Sequence, residues 1–170
     1  QEALRSTLQQ FLGQRYPIRQ RIEASRCEPG FRRDIWQAFA SELGLLGVMA
    51  PVDQGGLGGG ATEQLVVMEE LGRTLCLEPV AEAVFQSGWL LAQGEGPVRA
   101  LLERIVTGEA IVAMAIGEPG MRNDLADIAL RARRTDGGWT LSGTKAMVSA
   151  APWADHMIVA ARTEGVAGDC

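Results

Sequence analysis

The stretch with the most chemical potential is Ala113-Met114-Ala115-Ile116-Gly117-Glu118-Pro119-Gly120-Met121-Arg122-Asn123-Asp124-Leu125, a β-prone run that breaks into a Pro-Gly turn followed by polar residues. A strand ending in such a turn leaves backbone N–H and C=O groups free to meet the edge of a ligand. Other candidates read more plainly. Gly56 to Ala61 matches a G-x-G-x-x-G/A pattern, but no strand precedes it and no parallel strand ending in an acidic residue follows, so it reads as a tight connection between helices. Glu69 and Glu70 are adjacent in a helix pattern, point in different directions and read as solvated surface. Gly72 inside that helix costs about 1 kcal/mol relative to Ala and implies close packing against another backbone. Lys145 is either a phosphate contact or a strand-edge charge, and His156 beside Asp155 reads as a surface pair. With a single histidine, and with Cys27, Cys76 and Cys170 far apart, there is no multi-histidine or Cys/His metal site. The thiols read as reduced and intracellular. Any chemistry must come from carboxylates or from a cofactor.

The elements that would position these residues follow from apolar spacing. Leu4, Leu8, Phe11, Leu12 and Tyr16 predict a helix that Pro17 interrupts, and Phe31, Ile35, Trp36, Phe39 and Leu43 a second one that Gly44 stops. Leu65, Met68, Gly72 and Leu75 follow Thr62, a candidate N-cap; Val80, Val84 and Leu91 follow Pro79; Val98, Leu101, Leu102 and Ile105 follow Pro97. Near residue 110 the period changes to two. Ile111 to Ile116 is a strand, Thr135-Asp136-Gly137-Gly138 is a hairpin turn between Ile128–Arg133 and Trp139–Leu141, and Met157 to Ala161 adds a strand. The tryptophans read as core or interface filler. Helices followed by strands predict an α+β fold, with a helical domain over 1–110 and the beginning of a β domain over 111–170.

Composition narrows the function. The 170 residues carry 16 Lys and Arg against 21 Asp and Glu, a net charge of −5, and the arginines are scattered, which disfavours a nucleic-acid backbone as partner. No apolar run approaches the roughly 18 to 20 residues needed to span a bilayer. The first segment also lacks the apolar core of a signal peptide.

Five motifs, in order, resemble the acyl-CoA dehydrogenase family: Glu42-Leu43-Gly44-Leu45-Leu46-Gly47, Asp53-Gln54-Gly55-Gly56-Leu57-Gly58, Val67-Met68-Glu69-Glu70-Leu71-Gly72-Arg73, Gly117-Glu118-Pro119-Gly120 with Asp124-Leu125-Ala126, and Leu141-Ser142-Gly143-Thr144-Lys145. The resemblance implies an N-terminal all-helical domain followed by the start of an antiparallel β-barrel domain, with the family's C-terminal four-helix bundle outside these residues. It implies FAD as cofactor and α,β-dehydrogenation of an acyl-CoA thioester, with hydride passing to flavin N5. It also implies electron-transferring flavoprotein as acceptor and a homo- or hetero-oligomer, cytoplasmic in a bacterium or in the mitochondrial matrix of a eukaryote.

By the same resemblance, Met114, Ile116, Gly117, Asn123, Met147 and Ser149 face the flavin, and Arg122 and Asn123 meet the substrate. The chain departs from the family pattern in both flavin segments. Gly117 stands for the usual Thr, whose lost hydrogen bond is worth roughly 0.5 to 1.5 kcal/mol. Met121-Arg122 stands for Ala-Gly, Asn123 for Ser, and Met147-Val148-Ser149-Ala150-Ala151 for Trp-Ile-Thr-Asn-Gly. No residue matches the family's catalytic base. With Gly72 to Pro79, these departures resemble a divergent small-subunit branch associated with pimeloyl-type or steroid-side-chain enzymes. That branch implies an alternative role as a flavin-poor, non-catalytic subunit of a heteromeric dehydrogenase.

Overall fold

Leu8, Phe11 and Leu12 form the buried face of α1 (Glu2–Arg15), and Phe11 meets Phe39 with ring centroids 5.7 Å apart. In this computed structural model the described residues are 1–121 and 124–165, so Arg122, Asn123 and Cys170 lie outside them. After Pro17 the chain forms α2 (Ile18–Ser25), which the sequence reading missed because the helix buries none of its residues and so carries no strong apolar period. The helix α3 (Arg33–Ser41) buries Ile35, Trp36, Ala38 and Phe39, and Gly44 adopts φ +61° just beyond its end, the left-handed conformation that suits glycine.

α4 (Ala61–Arg73) corrects several expectations. It turns Val66, Val67, Glu70 and Leu71 inward, while Leu65 and Leu75 stay 67% and 70% exposed. Apolar residues occur on two sides of this helix, and packing against α1 selects the side that period alone leaves ambiguous. Glu70 is therefore not solvated surface: it is 2% exposed and accepts from Arg5 at 2.6 Å and Gln9 at 3.0 Å, while Glu69 shares the same arginine at 2.8 Å. Gly72 faces open space, with nothing within 4 Å of where a Cβ would stand, so close packing does not explain it. The N-cap is Gly60, whose N–H donates to the Glu63 carboxylate at 2.9 Å, and not Thr62.

The glycine-rich loop before α4 is a tight connection, as the sequence suggested. The amides of Leu57, Gly58 and Gly59 donate to the carbonyls of Gly47, Ala50 and Val48 at 2.8, 2.9 and 2.8 Å. A Cβ on Gly56 would stand 2.1 Å from the Ala50 carbonyl oxygen, so the approach of two backbones dictates glycine there.

α5 runs from a π-helical stretch, Ala81–Gly88, into an α-helical turn, Trp89–Leu91, and α6 spans Pro97–Val106 with Pro97 at its first turn. β1 (Val112–Ala115) lies against α5, and its Val112, Ala113 and Ala115 are buried. β2 (Arg131–Thr135) and β3 (Gly138–Ser142) form the expected antiparallel hairpin, with Thr135 opposite Gly138. β4 (His156–Val159) pairs with β1 in parallel, Val112 opposite His156 and Ala115 opposite Val159. The chain between these two strands is long enough for the crossover that a parallel pair requires. Ile111 and Val112 belong to the same buried cluster as the helices, so strand and helices share one core.

Two side-chain expectations change at this seam. Asp155 accepts from the Ile111 N–H at 2.9 Å, and His156 meets Arg104 at 2.8 Å instead of its sequence neighbour. An arginine only donates, so the imidazole Nε2 accepts in this arrangement. Trp36 is core filler, its indole donating to Gly108 O at 3.1 Å, and the Trp153 indole donates to Pro29 O. Trp89 and Trp139 are 56% and 58% exposed and fill no core.

Candidate functional site

β1 ends at Ala115, and the chain leaving it forms one wall of a cleft of about 400 Å³ whose opposite wall is α5. Met114, Ile116, Gly117, Met147 and Ser149 all line this cleft, although two segments well separated along the chain carry them. Ala146 N–H donates to Gly117 O at 2.8 Å, which joins the segments directly. A Cβ on Gly117 would stand 2.8 Å from the Ala146 carbonyl oxygen, so glycine is what this approach admits. α5 contributes Glu82 and Gln86, one helical turn apart, which the sequence reading did not single out. Two polar residues at that spacing inside an otherwise apolar run were the available signal.

Backbone conformation marks the same place. Among the described residues, Leu75 and Met147 are the two non-glycine positions with positive φ, at +51° and +57°. Such backbone costs of order 1 to 3 kcal/mol and persists where the surroundings impose it, often at ligand sites. Met147 lines the first cleft with its side chain 96% exposed, and Leu75 lines a neighbouring one. Holding these side chains out of the core adds an apolar group to the lining of each cleft.

The wall is braced by an ion pair. Lys145 Nζ donates to Glu118 Oε1 at 2.7 Å and to Ile116 O at 2.9 Å, and both side chains are 8% exposed. Glu118 also accepts from the backbone N–H groups of Ala129 at 2.8 Å and Leu130 at 3.0 Å. The Lys145 ammonium, aided by these amides, pulls the Glu118 carboxyl down from 4.5 to about 2. Lys145 is thus neither a phosphate contact nor an ordinary edge charge. The pair ties the strand exit, the start of the hairpin and segment 145–147 into one support.

A second cleft of about 450 Å³ adjoins the first, with Glu82 and Ser149 lining both. Met68, Leu71, Leu77 and Trp153 supply apolar wall, and half-buried Cys76 and buried Glu78 add polar groups to it. Glu78 is 5% exposed; Tyr16 Oη donates to it at 2.6 Å, Cys76 Sγ at 2.9 Å and Arg32 N–H at 3.0 Å. The Tyr16 oxygen accepts in turn from Leu77 N–H at 2.9 Å. Burial raises both the Tyr16 and the Cys76 pKa well above the ordinary range, with Glu78 reinforcing the effect, so neither serves as a nucleophile. Tyr16→Phe leaves the Leu77 N–H and one Glu78 oxygen without this partner. It is expected to cost about 1 to 3 kcal/mol, measured by urea unfolding.

Residues 1–95 match the family model described as acyl-CoA dehydrogenase, N-terminal domain, and residues 113–169 the model for the middle domain. The chain belongs to the acyl-CoA dehydrogenase family. It is 33% identical over 169 residues to mitochondrial isovaleryl-CoA dehydrogenase from Pongo abelii, an alignment covering 96% of this chain and 40% of that protein. It is similar to a chain of the ChsE4-ChsE5 complex from Mycobacterium tuberculosis at TM-score 0.79 and 25% identity, covering 92% of this chain and 42% of that one. It shares its fold with a glutaryl-CoA dehydrogenase from Mycobacterium smegmatis in complex with FADH2, at TM-score 0.83 and 23% identity, over 96% and 42% of the two chains. The chain therefore spans about two fifths of the length of these relatives. Among the described residues, no helix is long and apolar enough to cross a membrane, and no group of three or more His, Cys, Asp or Glu side chains could hold a metal ion.

Proposed function

We propose that this chain forms the helical part, over 1–110, and the first β segment, over 111–170, of an FAD-dependent acyl-CoA dehydrogenase. The observation that carries the reading is the convergence of Met114, Ile116, Gly117, Met147 and Ser149 on one cleft, in a chain of that family. The residues present fit a flavin ring. The cleft falls within the volume range of small-molecule sites, and its lining combines the apolar side chains of Met114, Ile116 and Met147 with the polar ones of Glu82, Gln86 and Ser149.

In this reading Met114, Ile116 and Met147 would supply the apolar part of the pocket that holds the flavin. Gly117 lets the two backbone segments approach each other, and the Ser149 hydroxyl would be available to hydrogen-bond the group. FAD, when bound, accepts the hydride removed from the acyl β-carbon. The second cleft receives the acyl chain beside the first, and the α-proton leaves to a carboxylate base contributed by a part of the enzyme beyond these residues. An acyl-CoA thioester is the substrate, electron-transferring flavoprotein takes the electrons, and subunits associate, as ChsE4 and ChsE5 do in their complex.

Full-length protein containing this segment is expected to purify with the visible absorption of oxidised flavin and to bleach on addition of an acyl-CoA thioester. A second reading rests on the crowding at Gly117, where the family's Thr side chain has no room: a subunit that shapes a heteromeric dehydrogenase without holding flavin. Colourless protein that restores activity to a partner subunit decides for that reading. Colourless protein with no such effect defeats both.

A further inference from the structure

Glu82 sits on the π-helical stretch of α5 and lines both clefts. Among the described residues, no hydrogen bond or ion pair engages its carboxylate, although the side chain is only part-exposed. The other acid in the pair of clefts, Glu78, is buried and saturated by Tyr16, Cys76 and the Arg32 amide, all of which are neutral donors. Among the described residues lining either cleft there is no lysine, arginine or histidine. The two adjoining clefts therefore combine apolar and neutral polar lining with two carboxyl side chains, and neither contains a described cation.

Resting on the dehydrogenase reading above, we infer that Glu82 is a specificity-determining residue that turns away acyl groups ending in a carboxylate and accepts those ending in a methyl or a hydroxyl. An anionic tail entering the space loses its hydration and meets Glu82, with no described cation in the lining to offset either cost. A hydroxyl tail can donate to the same carboxylate. Discrimination of this kind comes from an unpaired charge set against the wrong ligand and needs no extra contact to the right one. It also favours neutral chains over the pimeloyl-type acyl groups suggested by the sequence, which end in a carboxylate.

The test uses the full-length protein and three thioesters of one chain length: a plain acyl-CoA, its ω-hydroxy form and its ω-carboxy form. Binding is measured by titration calorimetry and turnover by kcat/KM. The carboxylate form is expected to bind and react at least about tenfold worse than the plain form, and the hydroxy form comparably to it. Glu82→Gln is expected to narrow the carboxylate gap to within about threefold, and Glu82→Asp to retain it. Equal handling of the plain and carboxylate forms by the native protein, or a gap unchanged in Glu82→Gln, overturns the assignment. Binding with the expected ranking but no turnover defeats the dehydrogenase reading and upholds Glu82. Failure to bind any of the three thioesters overturns both.

Discussion

Lys145→Met is expected to destabilise the protein by roughly 3 kcal/mol and to loosen the wall of the first cleft. Lys145 and Glu118 are both nearly buried, and removing one partner of such a pair leaves the other charge uncompensated, which typically costs about 3 to 5 kcal/mol. The low end applies because Glu118 keeps two backbone donors, Ala129 and Leu130. The double variant Lys145→Met with Glu118→Gln is expected to recover part of that loss, since no uncompensated charge then remains. Urea unfolding of the two variants checks this; equal destabilisation removes the pair from the account. The same bond sets an acid limit. The Glu118 carboxyl is held at about 2 in the folded protein against an ordinary 4.5, so its contribution is complete above pH 4.5 and is lost as the pH falls through about 2. Stability is expected to fall across that window, and Glu118→Gln is expected to flatten the fall.

Gly117→Thr, which restores the residue usual in the family, is expected to weaken the protein instead of improving it. The new Cβ would meet the Ala146 carbonyl oxygen at 2.8 Å, and that atom is backbone, which cannot swing aside as the tip of a side chain can. Overpacking of this kind costs about 1 to 3 kcal/mol. The compensating shift separates segment 146–149 from the strand exit, breaking the Ala146 to Gly117 hydrogen bond, so flavin retention is expected to fall along with the melting temperature. Gly117→Ala carries the same Cβ and is expected to show most of the stability loss without the added hydroxyl. Increased flavin content in Gly117→Thr would show that the hydrogen bond outweighs the space.

The sequence by itself determined the helices whose apolar residues lie on one side, such as α1 and α3, the hairpin at Asp136-Gly137, and the change from helix to strand near residue 110. Each depends on neighbours a few positions apart, so local periodicity and turn chemistry suffice. It also carried the family, because its motifs persist in order along the chain. Only the tertiary structure decided which side of α4 is buried, because two apolar sides compete until α1 supplies Arg5 and Gln9 for Glu70. Only the tertiary structure paired Lys145 with Glu118, turned His156 toward Arg104 and set Glu82 between two clefts, since each arrangement joins residues distant in the chain. The glycine at 117 shows the division most directly. The sequence reads it as a lost hydroxyl, whereas the fold shows a backbone that fits only where no side chain stands, because space, unlike period, is a property of the assembled chain.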